Sequence, residues 1–494
     1  MLRDLFKTEF VINRALDLVQ PVRVLVDVAP AHGPFPPYPY LYALGSLLEA
    51  RGGTAAWDLE VASGVGGKVA SPRRAPILQR GYLAVAGKQG LARIRRKDAI
   101  IALGPYRGVF EPLARAAARD GSSVVAVASA RAPLRPYPRS GLFVTPLPVF
   151  LGPSDRREIE AFVIRARDAV QSMPFPEAIG PKDHGLDSAL RQHLVARFME
   201  EAPDLVALSI AFERGLGDHH AGILMETASP LAKAFVRLAQ VHGMAVTVLQ
   251  HGVIAGAFSY RQTEGDRIAA WGEPDATWFR EHLGRPIRVE ATGNPRYDAP
   301  VQARGSSLTR SEPRSPGRPH QIVFASQPFV QDRAGRSPTE RFAALQLAVD
   351  GTARLPEAEL VIKWHPAEAG ESWPETLARG RVRIARTGDA MELMRNAAAV
   401  LVISSTIALE AMLLGLPVIF LGPPDPESPF HPPEDGGGVR VESAQELATV
   451  VGDVIQNPAV RRRILDGQEA FLLGHYASLD GRAAERLATF LRSG

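Results

Sequence analysis

The chain has 494 residues, of which 46% are hydrophobic and 22% charged, and its formal net charge is +4. This length exceeds what one hydrophobic core usually serves, so at least two folded domains are expected. Cysteine is absent, which excludes disulfides, thiolate metal sites and thiol nucleophiles and fits a reducing compartment. No basic motif interleaved with aromatic residues is present, so nucleic acid is not an expected partner.

Two features of the sequence bear on its compartment. The first ten residues carry charges of both signs and lack the apolar core of a signal peptide, so export is not expected. Residues 397–422 are strongly apolar, but Glu410, three hydroxyl residues and a Gly-Leu-Pro turn favour a strand–helix–strand core over a membrane span. A cytoplasmic protein is therefore predicted, with peripheral contact at the inner face of the cell membrane through local basic clusters as the alternative.

Short apolar runs alternate with helical patterns from the beginning of the chain, as in βαβ units. The first predicted strand is Val22–Val28, and His32 and Gly33 follow it at a turn where a substrate can meet backbone N–H groups. A helix is predicted from Met225 to His242. The other predicted strands of this series are Ala99–Leu103, Ser123–Ala128, Leu205–Ile210 and Ala245–Leu249.

A polar loop with two carboxylates, Glu213 and Asp218, follows the predicted strand Leu205–Ile210. The default interpretation is a solvent-exposed loop in which Asp218 caps a helix, and the alternative makes Glu213 or Asp218 a general base. His219 and His220 lie in the same loop. Adjacent histidines rarely converge on one ion without a third spaced ligand, so a metal site is not favoured.

Gln250-His251-Gly252 comes directly after the strand Ala245–Leu249. This position places an imidazole at the carboxyl edge of the predicted sheet, where ligands bind in open α/β folds. A histidine near its ordinary pKa can take a proton from an attacking hydroxyl. A catalytic role and a structural role are about equally supported for His251.

A second series of strands follows a segment rich in Arg, Ser, Pro and Gly. The predicted organisation is a first domain of residues 1–302, a linker of residues 303–319, a second domain of residues 320–469, and a helix in residues 470–494 that either stays there or returns to the first domain. The predicted strands of the second domain are Gln321–Ala325, Glu359–Lys363, Val382–Ala385, Ala399–Ile403 and Val418–Phe420.

Polar residues follow two strands of this second series. Trp364-His365-Pro366 ends one strand, and Ser404-Ser405-Thr406 follows another and opens a helical pattern, Ile407–Leu414. Hydroxyls and N–H groups at such a turn can hold an anion, which predicts half of a phosphate site. Glu410 lies one turn further on, where it either meets a donor ribose or is buried against a basic group. No Asp-X-Asp pair is evident at the strand ends, so no metal is expected.

Five motifs follow one another along the chain: Gln250-His251-Gly252, Asp266–Gly272, Thr292–Asp298, Trp364-His365-Pro366 and Ser404-Ser405-Thr406. In this order they resemble the motifs of the bacterial GT-B glycosyltransferases that build capsules and other surface polysaccharides. The resemblance extends to sialyltransferases, Kdo-transferases and CDP-glycerol glycerophosphotransferases and covers roughly residues 205–425.

The resemblance implies an α/β GT-B fold, in which two Rossmann-like, doubly wound domains face a cleft. It implies a metal-independent inverting transfer of a sugar, sugar acid or polyol phosphate from a CMP- or UDP-linked donor to a glycan or lipid-linked acceptor of the cell envelope, without a cofactor. His251 then corresponds to the catalytic base, and His32, Gly33 and Gly252 lie on the acceptor side. The residues implied to bind the donor nucleotide are His365, Pro366, Ser404, Ser405, Thr406 and Glu410.

Two other functions remain open at this point. Thr292-Gly293-Asn294 and Leu409-Glu410-Ala411 also resemble the UDP-N-acetylglucosamine 2-epimerases, although those enzymes typically carry Ser-Gly-Gly where this chain has Ser404-Ser405-Thr406. The acidic–acidic–Gly motif of the sialyltransferases is not evident in the first domain. The third possibility is a non-catalytic GT-B partner in envelope assembly, which loss of activity on replacing His251 or His365 would exclude.

Overall fold

The computed structural model divides into two compact units. The first unit comprises Met1–Leu249, Thr263–Ile268 and Ala488–Gly494, and the second comprises Gln250–Gln262 and Ala269–Leu487. The structure describes residues 89–95, 98–129, 141–157, 159–161, 164, 203–225, 230–254, 263, 265–283, 285–307, 319–327, 338–365, 380–424 and 430–493. The predicted strand Val22–Val28 and the turn with His32 and Gly33 lie outside these residues.

The first sheet has seven strands in the order β3-β2-β1-β4-β5-β6-β7, and the pairings among β1 to β5 are parallel. Every residue of β1 and β2 is buried, as expected for apolar strands covered on both faces. Helices α1 (Arg107–Arg119) and α2 (Pro230–Val241) belong to the first unit. The strands are Ala99–Leu103, Ser123–Ala128, Leu142–Pro146, Ala221–Leu224, Ala245–Leu249, Arg267–Ala270 and Arg288–Ala291.

The second sheet has six strands in the order β10-β9-β8-β11-β12-β13, and all its pairings are parallel. Its strands are β8 (His320–Ala325), β9 (Ala358–Lys363), β10 (Val382–Ala385), β11 (Ala399–Val402), β12 (Val418–Leu421) and β13 (Val439–Val441). The remaining helices are α3 (Glu273–His282), α4 (Asp298–Ser307), α5 (Pro338–Ala353), α6 (Ala390–Met394), α7 (Ile407–Leu413), α8 (Ala444–Gln456), α9 (Pro458–His475) and α10 (Ala483–Arg492). The segment predicted as a linker begins inside α4.

Side chains that alternate along the strands of the second sheet form two separate cores. Val323, Val400 and Phe420 pack in a cluster with Met412 of α7 and Phe471 of α9. Their neighbours on the same strands form another cluster with residues of α5 and α8, among them Phe324, Leu401, Ile419, Leu345 and Leu447. Helices therefore cover both faces, and the predicted α/β class with two Rossmann-like parallel-sheet domains is confirmed.

One predicted strand is wrong. Residues 203–213, which include Leu205–Ile210, are helical. Leu205, Leu208 and Phe212 are buried in this segment, and their spacing of three and four residues is that of one helix face. The strand that enters the sheet is the next short run, β4, which Gly222 interrupts in the sequence.

Because residues 203–213 are helical, the polar loop with Glu213 and Asp218 lies at a different edge of the sheet from the one predicted. Glu213 ends the helical segment and is exposed, and Asp218 ends a 3-10 turn, Leu216–Asp218, that leads into β4. Both carboxylates therefore precede β4 at the amino edge of the first sheet, whereas ligands of this fold bind at the carboxyl edge. Because β4 and not a helix follows, the predicted helix cap by Asp218 is also wrong.

The first unit is completed by residues that are far apart in the sequence. Arg267 of β6 is buried and donates hydrogen bonds to the carbonyl oxygens of Phe490 (3.0 Å) and Leu491 (3.3 Å) at the end of α10. Its guanidinium also lies 5.4 Å from the centre of the Phe490 ring. A cation placed on the last carbonyls of a helix satisfies acceptors that have no partner within that helix.

The strand order of the second sheet fixes where a ligand is expected. Counted along the chain, its order is 3-2-1-4-5-6, the doubly wound arrangement in which ligands bind where the order reverses. That switch point lies between the carboxyl ends of β8 and β11. Among the helices that the structure describes, none is both long and apolar enough to cross a membrane.

Candidate functional site

Ser404 lies at the switch point of the second sheet and is held by Gln327, which follows β8. The Gln327 Nε2 donates to Ser404 Oγ (3.1 Å), and Ser404 N–H donates to Gln327 Oε1 (3.2 Å). Gln327 is only 8% exposed. A buried amide that satisfies both the main chain and the hydroxyl of one residue fixes its position, because leaving either group unpaired would cost about 1–3 kcal/mol.

Ser405 and Thr406 form the turn between Ser404 and α7. Ser405 Oγ accepts a hydrogen bond from Ile407 N–H (3.4 Å). Thr406 is the N-cap residue of α7, but its side chain does not cap the helix. In the part of the chain that the structure describes, neither the Ser405 nor the Thr406 N–H has an acceptor. The half-exposed turn therefore offers two N–H donors, which an anion can satisfy.

The Thr406 hydroxyl instead receives the segment that carries His251. Val253 N–H donates to Thr406 Oγ1 at 3.2 Å. A Cβ added to Gly252 would lie 3.0 Å from the same oxygen, so a glycine there allows the close approach. Two motifs that are about 150 residues apart in the sequence therefore meet within the second unit, and the exposed His251 comes two residues before the Val253 N–H that contacts Thr406.

His365 follows β9 and is exposed, whereas Trp364 before it is buried. Although His365 as a whole is exposed, partial desolvation of its imidazole, and after it the charge of Lys363, lowers the pKa of the ring below its ordinary 6.5. Lys363 turns its ammonium back onto the Trp364 carbonyl oxygen (2.8 Å). The Arg386 guanidinium lies 4.2 Å from the centre of the Trp364 ring. Pro366 lies outside the described residues.

Glu410 occupies the first turn of α7 and is 3% exposed. Its Oε1 lies 2.9 Å from Arg296 and accepts a hydrogen bond from the Tyr297 hydroxyl (3.3 Å). Burial raises the pKa of Glu410, and the Arg296 charge opposes this rise. Of the two possibilities predicted for Glu410, these contacts match burial against a basic group and not contact with a donor ribose. Arg296 is half exposed, so it can also face a ligand.

The sequence did not indicate the residues that hold the site together. Gln327, Arg296 and Asp275 contact Ser404, Glu410 and Gln250, respectively, through side chains that are distant in the sequence. The sequence held only weak signals for these residues: Gln327 follows a predicted strand, and Arg296 lies in the motif Thr292–Asp298, in which nothing distinguished it from its neighbours. Glu213 and Asp218 do not join this group, since they lie at the amino edge of the first sheet.

His219 of the polar loop is buried, with 1% exposure, and does not join the site. Burial lowers the pKa of its imidazole from 6.5. As the pH falls, His219 is protonated in the unfolded chain before it is protonated in the folded protein. The stability that neutral, buried His219 provides is therefore complete above pH 6.5 and is lost as the pH falls through the folded pKa.

A His219→Leu variant should lose part of the acid destabilisation of the wild type, measured as the free energy of unfolding from denaturant titrations at several pH values. The same pH dependence of this free energy in both proteins would contradict the prediction. His220→Leu, at an exposed site, is the control.

No known protein family and no curated protein matches the sequence. Similar solved structures include a UDP-N-acetylglucosamine 2-epimerase from Neisseria meningitidis bound to UDP-GlcNAc, with 13% identity over 80% of this chain and 100% of that chain and a TM-score of 0.47. The epimerase from Methanocaldococcus jannaschii has 14% identity, with coverages of 80% and 99% and a TM-score of 0.45. A variant of the wall teichoic acid polymerase TagF has 11% identity, with coverages of 83% and 93% and a TM-score of 0.47.

Proposed function

We propose that this protein is a nucleotide-sugar-dependent glycosyltransferase that transfers a sugar, sugar acid or polyol phosphate to a glycan or lipid-linked acceptor with inversion. One observation supports the proposal: the Val253 N–H bond to Thr406 Oγ1 joins the segment that carries His251 to the Ser404–Thr406 turn at the switch point of a parallel sheet. In the proposed site, His251 supplies a proton acceptor and the turn supplies anion-binding groups. Displacement of a phosphate by a hydroxyl requires these two functions.

His251 acts on the nucleophile in this proposal. Its exposed imidazole takes the proton from an acceptor hydroxyl while the hydroxyl oxygen forms a bond to the transferred group. The bond between that group and the donor phosphate breaks, and the phosphate oxygen leaves with the bonding electrons. One proton moves to His251, and the products are the extended acceptor and the nucleotide.

The groups around Ser404 act on the leaving phosphate. The Ser405 and Thr406 N–H groups, the hydroxyls of Ser404 and Ser405 and the His365 imidazole can donate hydrogen bonds to its oxygens as negative charge develops. Gln327 fixes Ser404 before the donor binds, so little reorganisation is needed during the reaction. This donor set stabilises the leaving group without a requirement for a metal. The donor is proposed to be a CMP- or UDP-linked compound.

Calorimetric titration with CMP, CDP, UDP, GDP and TDP tests the proposal. We expect selective binding of a cytidine or uridine nucleotide without added metal. His365→Ala and Ser404→Ala should each weaken that binding by about 10–150-fold, since each removes a hydrogen bond to a charged group worth about 1.5–3 kcal/mol. His220→Ala, which changes an exposed histidine at the amino edge of the first sheet, should leave it unchanged.

Three results would overturn the proposal. Equal nucleotide affinity in wild type, His365→Ala and Ser404→Ala would mean that the donor does not bind at this edge. Conversion of UDP-N-acetylglucosamine to its epimer without an acceptor would establish the isomerase function instead. Binding of no nucleotide at all would favour the non-catalytic partner in envelope assembly.

A further inference from the structure

Gln250, the residue before His251, is fully buried and every polar group of its side chain has a partner. Its Oε1 accepts a hydrogen bond from Trp271 N–H (2.8 Å). Its Nε2 donates to the Gly252 carbonyl oxygen (3.0 Å) and to Asp275 Oδ2 (2.9 Å). A side-chain amide has one acceptor and two donor hydrogens, and all are used here. The contact with Gly252 spans His251, so this amide sets the conformation of the backbone on both sides of the imidazole.

The main chain of Gln250 is fixed as well. Its N–H donates to the Ala269 carbonyl oxygen (3.0 Å), and its carbonyl oxygen accepts from Trp271 Nε1 (2.8 Å). Two residues further on, Val253 N–H is held by Thr406. His251 is therefore an exposed residue between two fixed positions of the backbone, and the Gln250 amide fixes one of them.

Asp275 accepts the second donor hydrogen of that amide. It lies in the first turn of α3, and in the described part of the chain the one hydrogen bond of its carboxylate is with Gln250. The Glu273 carboxylate of the same turn lies 2.6 Å from the Arg280 guanidinium, so it is not the acceptor for the amide. Burial raises the pKa of Asp275 to about 6, and the hydrogen bond from Gln250 opposes the rise. Asp275 therefore completes an orientation that Trp271 and Gly252 also favour, and without it one buried N–H of the amide has no partner.

We propose that Asp275 is a positioning residue for His251: through Gln250 and the Gly252 carbonyl it helps to hold the backbone segment that carries His251 against the Ser404–Thr406 turn. The proposal rests on the proposed function for what the imidazole does there, but the placement itself can be observed without any reaction. Asp275 does not touch the substrate in this account. It acts through a chain of two hydrogen bonds.

NMR of ring-labelled histidine tests the placement directly, with the His251 signal identified by its loss in His251→Ala. Asp275→Leu should shift the His251 ring signals, because the second Nε2 hydrogen of the buried Gln250 amide then has no acceptor and the segment must adjust around it. Asp275→Asn should leave them in place, because the asparagine oxygen still accepts from Gln250. Glu273→Gln, in the same turn of α3, is the matched control and should also leave them unchanged.

Kinetics then link the placement to the reaction. Asp275→Leu should lower kcat by about 10–100-fold with little change in the nucleotide Kd, because a displacement of about 1 Å at a catalytic group has this effect. Asp275→Asn should restore the rate. A folded Asp275→Leu protein with unchanged His251 signals overturns the proposal, and if that variant does not fold, Asp275→Ser gives the same reading. If His251→Ala retains transfer, the proposed function fails, whereas the NMR result still decides the role of Asp275.

Discussion

Replacement of His251 by alanine should lower kcat by about 10²–10⁴-fold and leave the nucleotide Kd unchanged. This range is the usual contribution of a general base. The nucleotide groups are proposed to contact the Ser404–Thr406 turn and His365, so removal of the imidazole does not remove a donor contact. The measurement is transfer from CMP- or UDP-linked donors to an acceptor, followed as release of nucleotide, with calorimetric titration of the same variant.

Two features make the result specific to His251. The side chain is exposed, so its loss leaves no cavity in the core, and the thermal stability should stay near that of the wild type. His220→Ala is the matched control, because His220 is also exposed but precedes β4 at the amino edge of the first sheet. Unchanged kcat in His251→Ala would remove the base from the proposed mechanism, and weakened nucleotide binding would place His251 among the donor contacts instead.

Replacement of Arg296 by alanine should lower the free energy of unfolding by about 2–3 kcal/mol at pH 8. The change leaves the Glu410 carboxylate buried without its ion pair, which costs about 3–5 kcal/mol for fully buried pairs. The cost is smaller here because Arg296 is half exposed and the pair is partly screened by solvent. Denaturant unfolding followed by circular dichroism gives the value.

The effect of Arg296→Ala should depend on pH with a defined sign. Burial already raises the pKa of Glu410 above the ordinary 4.5, and loss of the arginine raises it further. A raised carboxyl pKa stabilises the folded state at low pH, and this stability is lost as the pH rises through the folded pKa. The defect should therefore be smaller at pH 5 than at pH 8. The double variant Arg296→Met with Glu410→Gln removes both charges and should recover most of the loss. A defect of equal size at both pH values would show that packing and not charge is responsible.

The sequence predicted the second sheet well, for a reason visible in its strands. β8, β9, β11 and β12 are buried on both faces, so each is a continuous apolar run that can be recognised without its neighbours. The polar residues after these strands, His365 and Ser404, were located for the same reason. The prediction of a strand at Leu205–Ile210 was wrong because a short apolar run of this length fits a buried helix as well as a strand.

The contacts that shape the site could not be read from the sequence. Gln327 and Ser404 are 77 residues apart, and Val253 and Thr406 are 153 residues apart. Whether a buried amide finds a partner depends on which strand ends become neighbours, and the strand order decides that. Gln250 belongs to the motif Gln250-His251-Gly252, but its hydrogen bond to Asp275 depends on where α3 begins relative to β6. Only the folded chain brings these residues together.

The discontinuous first unit has a consequence for biosynthesis. Arg267 is 223 positions before Phe490, the residue whose carbonyl oxygen it binds, and the ribosome adds about 5–20 residues per second. About 10–45 s therefore pass between the synthesis of Arg267 and the synthesis of the residues whose carbonyl oxygens it binds, and nearly all of the second unit is made in this interval. During this interval the Arg267 guanidinium lacks the two carbonyl acceptors that it has in the finished protein, where its position is buried, so the first unit is completed only when the last residues of the chain have been made.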